Sequence, residues 1–167
     1  EVIQKAWNEQ KAIQQVMLFL QSHAIRTSLA LKIYRTYGND AIRILEKNPY
    51  QTARDIWGIG FLTADKIAQS MGINKDDRSR VDAGILYILN QAMNEGHVFL
   101  PRLELAEKTS VLLKIQSDLN EDGIDRLILE GECLPGGIQP DSSGGDVGIY
   151  LAPLYYAETG FLQRITR

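Results

Sequence analysis

The sequence has little of the chemistry that marks secreted, membrane or zinc-binding proteins. Its 167 residues include one cysteine, Cys133, which cannot form a disulfide within the chain. The two histidines, His23 and His97, have no cysteine or histidine neighbours at ligand spacing, which argues against a zinc site. No apolar run exceeds five residues, whereas roughly 20 are needed to cross a bilayer. Together with the absence of a signal-peptide pattern, these shortages predict a reducing, cytoplasmic setting.

The sequence also lacks a catalytic constellation. No Gly-x-x-x-x-Gly-Lys-Ser/Thr loop for a nucleotide phosphate occurs in it. Neighbouring carboxylates such as Asp76 and Asp77 stand in polar connectors beside basic residues, where solvated caps are commoner than metal or acid-base sites. We therefore predict no catalytic residue, metal or cofactor within this chain, and a self-contained nuclease or glycosylase is disfavoured.

What the chain does have is enough apolar material for a core, at 44% hydrophobic residues, and an uneven distribution of charge. Residues 1–80 contain 12 Lys or Arg and 8 Asp or Glu, a net charge of +4. Residues 81–167 contain 6 and 13, a net charge of −7, so the overall −3 hides two halves of opposite sign. The first half is where a polyanion could bind, although an ordinary solvated surface explains so small an excess equally well.

The spacing of apolar residues, and glycines at the ends of the apolar patterns, predict a mostly α-helical chain. Helices are predicted over Trp7–His23, Ser28–Tyr37, Asp40–Lys47, Pro49–Ile56, Phe61–Met71, 81–96, Pro101–Leu113, Asn120–Glu130 and Pro153–Arg167. Short strands are predicted over His97–Leu100, Glu132–Leu134 and Val147–Leu151. Helices followed by a hairpin with a glycine-rich tip, here Pro135–Asp146, indicate a winged-helix-like segment.

The most polar stretch divides the chain. Residues 75–80 are predicted to be a linker between a helical domain over 1–74 and the winged-helix-like segment over 81–152. The last helix, over 153–167, is expected to lead into a further domain. Because the chain begins with Glu1 rather than Met, we expect it to be a piece of a larger protein.

The most informative motif is an apolar-Gly-apolar-Gly turn between two predicted helices. It consists of Trp57, Gly58, Ile59 and Gly60, and it resembles the helix-hairpin-helix motif. Glycine allows a positive φ in the turn and a close approach by another backbone, while Ile59 can anchor the turn between the helices. The amides of the first turn of the following helix have no helical carbonyl to bind, and they point outward with the positive end of the helix dipole.

This geometry suits a phosphate group. Thr63 can add a hydroxyl donor and Lys66 a positive charge, and such contacts hold a nucleic-acid backbone without reading bases. Trp57 borders the turn and is the best candidate among the aromatic residues for a stacking surface. Alternatively, the turn is only a tight connection between helices, since helix-hairpin-helix units also serve as packing or protein-contact elements.

A degenerate copy of this unit lies earlier in the chain. Residues 23–34 align without gaps to residues 57–68, an offset of 34 residues. The shared residues are Ile25 with Ile59, Ala30 with Ala64, Lys32 with Lys66 and Ile33 with Ile67. Ala24 and Arg26 replace the two glycines, so we expect the packing pattern to survive and the permissive turn to be lost. Arg26 and Lys32 are candidate phosphate ligands, although Arg26 could equally be a solvated surface residue.

With these hairpins in place, nearly the entire chain resembles one region of the RecD-like DNA helicases, which are related to the exodeoxyribonuclease V alpha subunit. The matching stretches are Val16–Leu20, Ala30–Tyr34, Tyr37–Ala41, Glu46–Tyr50, Ala53–Phe61, Thr63–Ala68, Glu95–His97 and Tyr155–Gly160. In that family, tandem helix-hairpin-helix units and a small helical and hairpin segment precede the ATPase motor.

The resemblance implies a non-catalytic DNA-binding region of a helicase that moves 5' to 3' and acts in repair or recombination. ATP and magnesium would belong to the motor, which this chain lacks. The implied partners are DNA, held by its backbone as a single strand or fork, and the parent's own motor domains. The rival hypothesis is a structural or protein-interaction scaffold of the same helicase that makes no DNA contact.

Overall fold

The first part of the chain is built from helices joined by tight turns. The computed structural model describes residues 2–136 and 147–157, and it divides into two compact units, Glu1–Asn74 and Lys75–Arg167. The elements of the first unit are α1 (Val2–Ser22), α2 (Thr27–Tyr37), a 3-10 turn (Gly38–Asp40), α3 (Ala41–Lys47), α4 (Gln51–Asp55) and α5 (Phe61–Ser70). Helix α1 packs on α2 and helix α4 packs on α5, which confirms the predicted tandem of helix-hairpin-helix arrangements.

One apolar cluster holds the first unit together. Its buried members are Val16, Leu20, Ile25, Ala30, Ile33, Ala41, Leu45, Ile56, Ile59 and Ile67. The spacing of three or four residues within α1, α2 and α3 gives each helix one apolar face, and those faces meet in this cluster. The turn isoleucines Ile25 and Ile59 belong to it, so each hairpin turn is anchored directly to the core.

Helix α4 is shorter than the predicted Pro49–Ile56. Residues Pro49 and Tyr50 form a turn ahead of it. The backbone N–H of Tyr50 donates to Oδ1 of Asn48 at 3.0 Å, and the hydroxyl of Thr52 donates to the carbonyl of Pro49 at 2.7 Å. These side-chain bonds satisfy the turn locally, so the regular helix starts only at Gln51.

The second unit combines helices with a small antiparallel sheet. Its elements are α6 (Arg78–Asn94), β1 (Leu100–Pro101), α7 (Arg102–Leu113), α8 (Ser117–Leu129), β2 (Cys133–Gly136) and β3 (Gly148–Leu151), and residues 152–157 are helical. The sheet order is β1-β3-β2, with Leu100 opposite Ile149 and Cys133 opposite Leu151. This element order and sheet are winged-helix-like, which confirms the predicted fold class.

Two glycines let the helices of the second unit approach closely. A Cβ on Gly84 of α6 would lie 2.9 Å from Leu113 of α7, and one on Gly123 of α8 would lie 2.7 Å from Ile85 of α6. Both distances are too short for an ordinary contact between carbon atoms. The sequence therefore uses glycine here for packing rather than for a turn.

The structure differs from the sequence predictions at several boundaries of the second unit. Helix α6 begins at Arg78, inside the segment predicted to be a linker over 75–80. Arg80 is 4% exposed, and its Nη1 donates to the carbonyls of Lys75 and Leu113 at 2.8 and 3.0 Å. These bonds make the buried charge tolerable and tie the start of α6 to the end of α7.

The predicted strands and loops of this unit also shift. Of the strand predicted over His97–Leu100, only Leu100 pairs with β3, and β1 continues into Pro101, which was predicted to begin the following helix. Strand β2 extends through Pro135 and Gly136, which were predicted to be loop. The remainder of that loop, residues 137–146, and residues 158–167 of the predicted last helix lie outside the described residues.

Candidate nucleic-acid interface

We call α1, α2 and the turn between them the first hairpin, and α4, α5 and the turn between them the second hairpin. The turn of the second hairpin is fixed by one backbone hydrogen bond and one glycine. The N–H of Ile59 donates to the carbonyl of Ile56 at 3.0 Å, which closes a four-residue turn. Gly58 is the third residue of this turn and has φ +85°, as type II turns require. Ile56 and Ile59 are 6% and 3% exposed, so the turn is anchored at both ends. Glycine is needed at position 58 for its conformation.

Gly60 serves a different purpose. It precedes α5 with φ −91° and ψ 174°, a conformation that any residue can adopt, and its carbonyl accepts from the N–H groups of Thr63 and Ala64 at 3.1 Å. A Cβ built at Gly60 would meet nothing within 4 Å. A β-branched residue at position 60 would therefore meet no steric obstacle and would not distort the turn. What glycine leaves here is open space in front of the first turn of α5.

A buried hydrogen bond sets the second hairpin's shape, and it was missed at the sequence level. The hydroxyl of Tyr50 donates to Oδ1 of Asp65 at 2.7 Å, and Nε2 of Gln69 donates to Oδ2 of Asp65 at 2.8 Å. The ring of Tyr50 also stacks on Phe61, with centroids 5.8 Å apart. These contacts fix α5 against the segment before α4. An aspartate on the buried side of an otherwise apolar helix face is the signal that could have revealed them.

The turn of the first hairpin keeps the glycine-type backbone without glycine. Ala24 has φ +56°, and the N–H groups of Ala24 and Ile25 donate to the carbonyls of Gln21 and Leu20, each at 3.0 Å. This is the hydrogen-bond pattern of a Schellman C-cap, which needs a left-handed residue at its C′ position. The expectation that the permissive turn is lost is therefore wrong, because the C-cap bonds and the burial of Ile25 impose it on alanine.

The apolar residues that the repeat shares are buried in both hairpins. Ile25 and Ile59 are 6% and 3% exposed, and Ala30, Ala64, Ile33 and Ile67 are all buried. Arg26 stands at the N-cap of α2, where Gly60 stands at the N-cap of α5. The sequence repeat is thus also a structural repeat. At the N-cap, the first hairpin has an exposed arginine and the second has glycine, which carries no side chain.

Of the predicted phosphate ligands, the fold brings Lys32 to the second hairpin. A Cβ built on Gly58 would lie 3.2 Å from the Nζ of Lys32, so the ammonium group of α2 sits against the turn before α5. Lys66 is exposed on α5 itself, and Thr63 is partly buried in the first turn of that helix. Arg26 is exposed on the first hairpin. Two hairpins therefore contribute to the surface around Gly58.

The aromatic residues divide into packed and exposed groups. Phe19, Tyr34 and Tyr37 are partly buried against the core of the first unit. The hydroxyl of Tyr37 donates to Asp55 at 3.0 Å, and burial together with this bond raises the pKa of Tyr37 above its usual value. Trp57 and Trp7 are 93% and 62% exposed. Trp57 lies beside the turn, so its exposed indole is part of the surface around Gly58.

Charges of the second unit are engaged in internal pairs. Arg102 donates to Glu121 at 2.8 Å and to Asp125 at 2.7 Å, and Arg126 donates to Asp82 at 2.6 Å. The bond to Arg102 lowers the pKa of Asp125. With 9 Lys or Arg and 15 Asp or Glu over residues 75–167, this unit is net negative, whereas residues 1–74 carry 9 and 6. The electrostatics favour the first unit for a polyanion.

The described residues show little else that suggests chemistry. Burial, with a smaller contribution from Glu132, raises the pKa of the Cys133 thiol to about 12, so it is a poor nucleophile at neutral pH. Within residues 2–136 and 147–157, no three His, Cys, Asp or Glu side chains group as metal ligands would. Over the same ranges, no helix is long and apolar enough to cross a membrane.

Comparison with known proteins agrees with this geometry. A family model described as the ATP-dependent RecD2 DNA helicase HHH domain matches residues 9–99. The ATP-dependent RecD2 DNA helicase of Deinococcus radiodurans is 37% identical over 98 residues, which are 58% of this chain and 14% of that protein. The match includes both hairpins and the start of the second unit. The chain belongs to the family of RecD2 DNA helicase helix-hairpin-helix domains.

Proposed function

We propose that this chain is a non-catalytic DNA-binding region of a helicase, and that its second hairpin holds the phosphate backbone. One observation carries the proposal. The first turn of α5 lies behind the open space at Gly60, and the ammonium group of Lys32 stands against Gly58, two residues earlier in the chain. Backbone N–H groups that are open to solvent, together with a neighbouring ammonium group, form a site where an anion can approach the backbone closely.

Each neighbouring residue has a role in this proposal. Ile59 anchors the turn, and the amides of Gly60 and Leu62 reach a phosphate oxygen. Thr63 adds a hydroxyl, while Lys66 on the second hairpin and Lys32 and Arg26 on the first hairpin supply positive charge. Because these groups meet phosphates rather than base edges, binding is expected to be independent of sequence and to weaken steeply with salt.

The relative's name extends the proposal to the parent protein. A protein named as an ATP-dependent DNA helicase shares this region, so we infer that the chain works beside a helicase motor. From the family resemblance we further propose that this motor moves 5' to 3' on DNA during repair or recombination in the cytoplasm. The chain has no nucleotide phosphate loop, so ATP and magnesium would be bound by the motor. Its own residues would hold and orient the strand.

The test is fluorescence anisotropy of the chain with labelled single-stranded, duplex and forked DNA, at low salt and at about 0.15 M salt. Gly60→Ser should weaken binding about tenfold, because the new side chain fills the open space and its hydroxyl caps the amides that would otherwise bind phosphate. Its melting temperature should stay at or above that of the parent sequence, since serine is a good N-cap.

Gln116→Ser is the matched control. Gln116 is also an extended helix N-cap without a side-chain cap bond, but it starts α8 in the second unit. This variant should bind DNA as the parent sequence does. Equal binding by Gly60→Ser and the parent sequence would contradict the proposed site.

A scaffold role is the second candidate. Val111 and Leu129 on helices of the second unit are 79% and 87% exposed, which suits a protein contact better than a polyanion. A pure scaffold predicts no DNA binding at either salt concentration. It also predicts that Val111→Ser and Leu129→Ser, but not Gly60→Ser, weaken association with the separately expressed motor domains of the parent helicase.

A further inference from the structure

Trp57 is the most exposed large apolar side chain of the described residues, at 93%. Its exposure follows from the turn. Ile56 on one side and Ile59 on the other are buried, and the hydrogen bond between them fixes Trp57 and Gly58 at the tip. An indole held outward in this way gains nothing for the fold, because its contacts with the core are minimal.

The first hairpin shows what this position looks like when it serves the fold. The residue that aligns with Trp57 is His23. The ring of His23 packs on Phe19 with centroids 4.5 Å apart, and its Nδ1 lies 2.8 Å from the carbonyl oxygen of Phe19. The same place in the repeat therefore holds a ring docked on its own helix in one hairpin and a projecting ring in the other.

The surroundings of Trp57 indicate the ligand. Gly58 follows it directly, and the ammonium group of Lys32 lies against Gly58. A phosphate held at this turn would bring the attached nucleotide within reach of the indole. In a duplex the faces of the bases are stacked on one another and unavailable, whereas unpaired bases can stack on an aromatic ring.

We propose that Trp57 stacks on an unpaired base of the strand whose phosphate the second hairpin holds, which makes this hairpin selective for single-stranded DNA or the single-stranded arm of a fork. This inference rests on the proposed function and adds a substrate preference to it. Stacking on an aromatic ring tolerates every base, so the preference is for strandedness rather than sequence.

The chain offers a direct spectroscopic test, because it contains two tryptophans, Trp7 and Trp57. In Trp7→Phe, Trp57 is the sole indole. Its emission should be quenched saturably by a single-stranded thymidine oligonucleotide, and much less by a blunt duplex at equal occupancy measured by anisotropy. In the converse variant, Trp57→Phe, the emission of Trp7 should change little with either DNA.

Affinity measurements complete the test. Trp57→Ala should lower the affinity for single-stranded DNA about tenfold and that for duplex by less than about twofold. Trp57→Phe should retain most of the single-strand affinity, because a ring remains. Trp7→Ala, which removes the other exposed indole, should change neither affinity. Melting temperatures of all variants should match the parent sequence, since both side chains are exposed.

The outcomes separate the two proposals. If DNA binds with the expected salt dependence, but the emission of Trp57 is unchanged and Trp57→Ala weakens single-stranded and duplex DNA equally, the stacking role is wrong and the backbone site stands. If no DNA binds even at low salt, both proposals fail. Quenching by single-stranded DNA together with the selective loss in Trp57→Ala supports both.

Discussion

The two hairpins of the first unit share buried apolar positions and a turn residue with positive φ, and they differ in what they expose. Both turns are anchored by a buried isoleucine and both contain a residue with positive φ, at Ala24 and Gly58. The first hairpin docks His23 on its own helix and carries an arginine at its N-cap. The second projects Trp57 and leaves open space at Gly60. The core residues fix the position of each hairpin, while the exposed residues of the two turns differ.

The largest expected effect comes from removing the glycine that the second turn requires. Gly58→Val places a β-branched residue at φ +85°, which should destabilise the first unit by about 2 kcal/mol. Urea unfolding followed by tryptophan emission measures this, since both tryptophans lie in the first unit. An unchanged unfolding midpoint would show that the turn can adopt another conformation.

A smaller loss of stability is expected when the buried hydrogen bond between Tyr50 and Asp65 of the second hairpin is removed. The residue aligned with Asp65 is Leu31, whose side chain cannot accept a hydrogen bond. Tyr50→Phe removes the 2.7 Å bond to Asp65 and should cost about 1 kcal/mol. If Tyr50→Phe were neutral in urea unfolding, the bond would not hold α5 in place.

Placing glycine in the turn of the first hairpin should raise the free energy of unfolding rather than lower it. Ala24→Gly relieves the left-handed strain at φ +56°, and we expect a gain of about 0.5 to 1 kcal/mol. Differential scanning calorimetry of this variant beside Gly58→Ala provides the comparison, since the second change should destabilise. A loss of stability in Ala24→Gly would mean that the turn carries no strain.

The smallest effects concern the lysines that align in the repeat. Lys32→Ala and Lys66→Ala should each weaken DNA binding uniformly across sequences and reduce the slope of log K against log salt by about one unit. Lys108→Ala, which removes an exposed lysine of the second unit, is the control and should leave the slope unchanged. Either hairpin lysine would lose its proposed role if its removal left the slope as it was.

The sequence predicted the parts of this structure that depend on local pattern. The apolar spacing of the helices is visible without coordinates, because it repeats at fixed intervals. The same holds for the Gly58–Gly60 motif and for the alignment of Ile25 with Ile59 in the 34-residue repeat. The left-handed Ala24 was not predictable, since alanine rarely adopts that conformation and only the C-cap bonds and core impose it. The burial of Arg80 and the approach of Lys32 to Gly58 depend on tertiary packing between distant segments.

The most direct test of the difference between the hairpins is an NMR titration of the isotopically labelled chain with a short single-stranded oligonucleotide. We predict that the largest amide shifts occur at residues 57–63, with smaller ones at residues 24–32 and little change in the second unit. Shifts confined to residues 75–157, or equal shifts at the two turns, would contradict the assignment of DNA binding to the second hairpin.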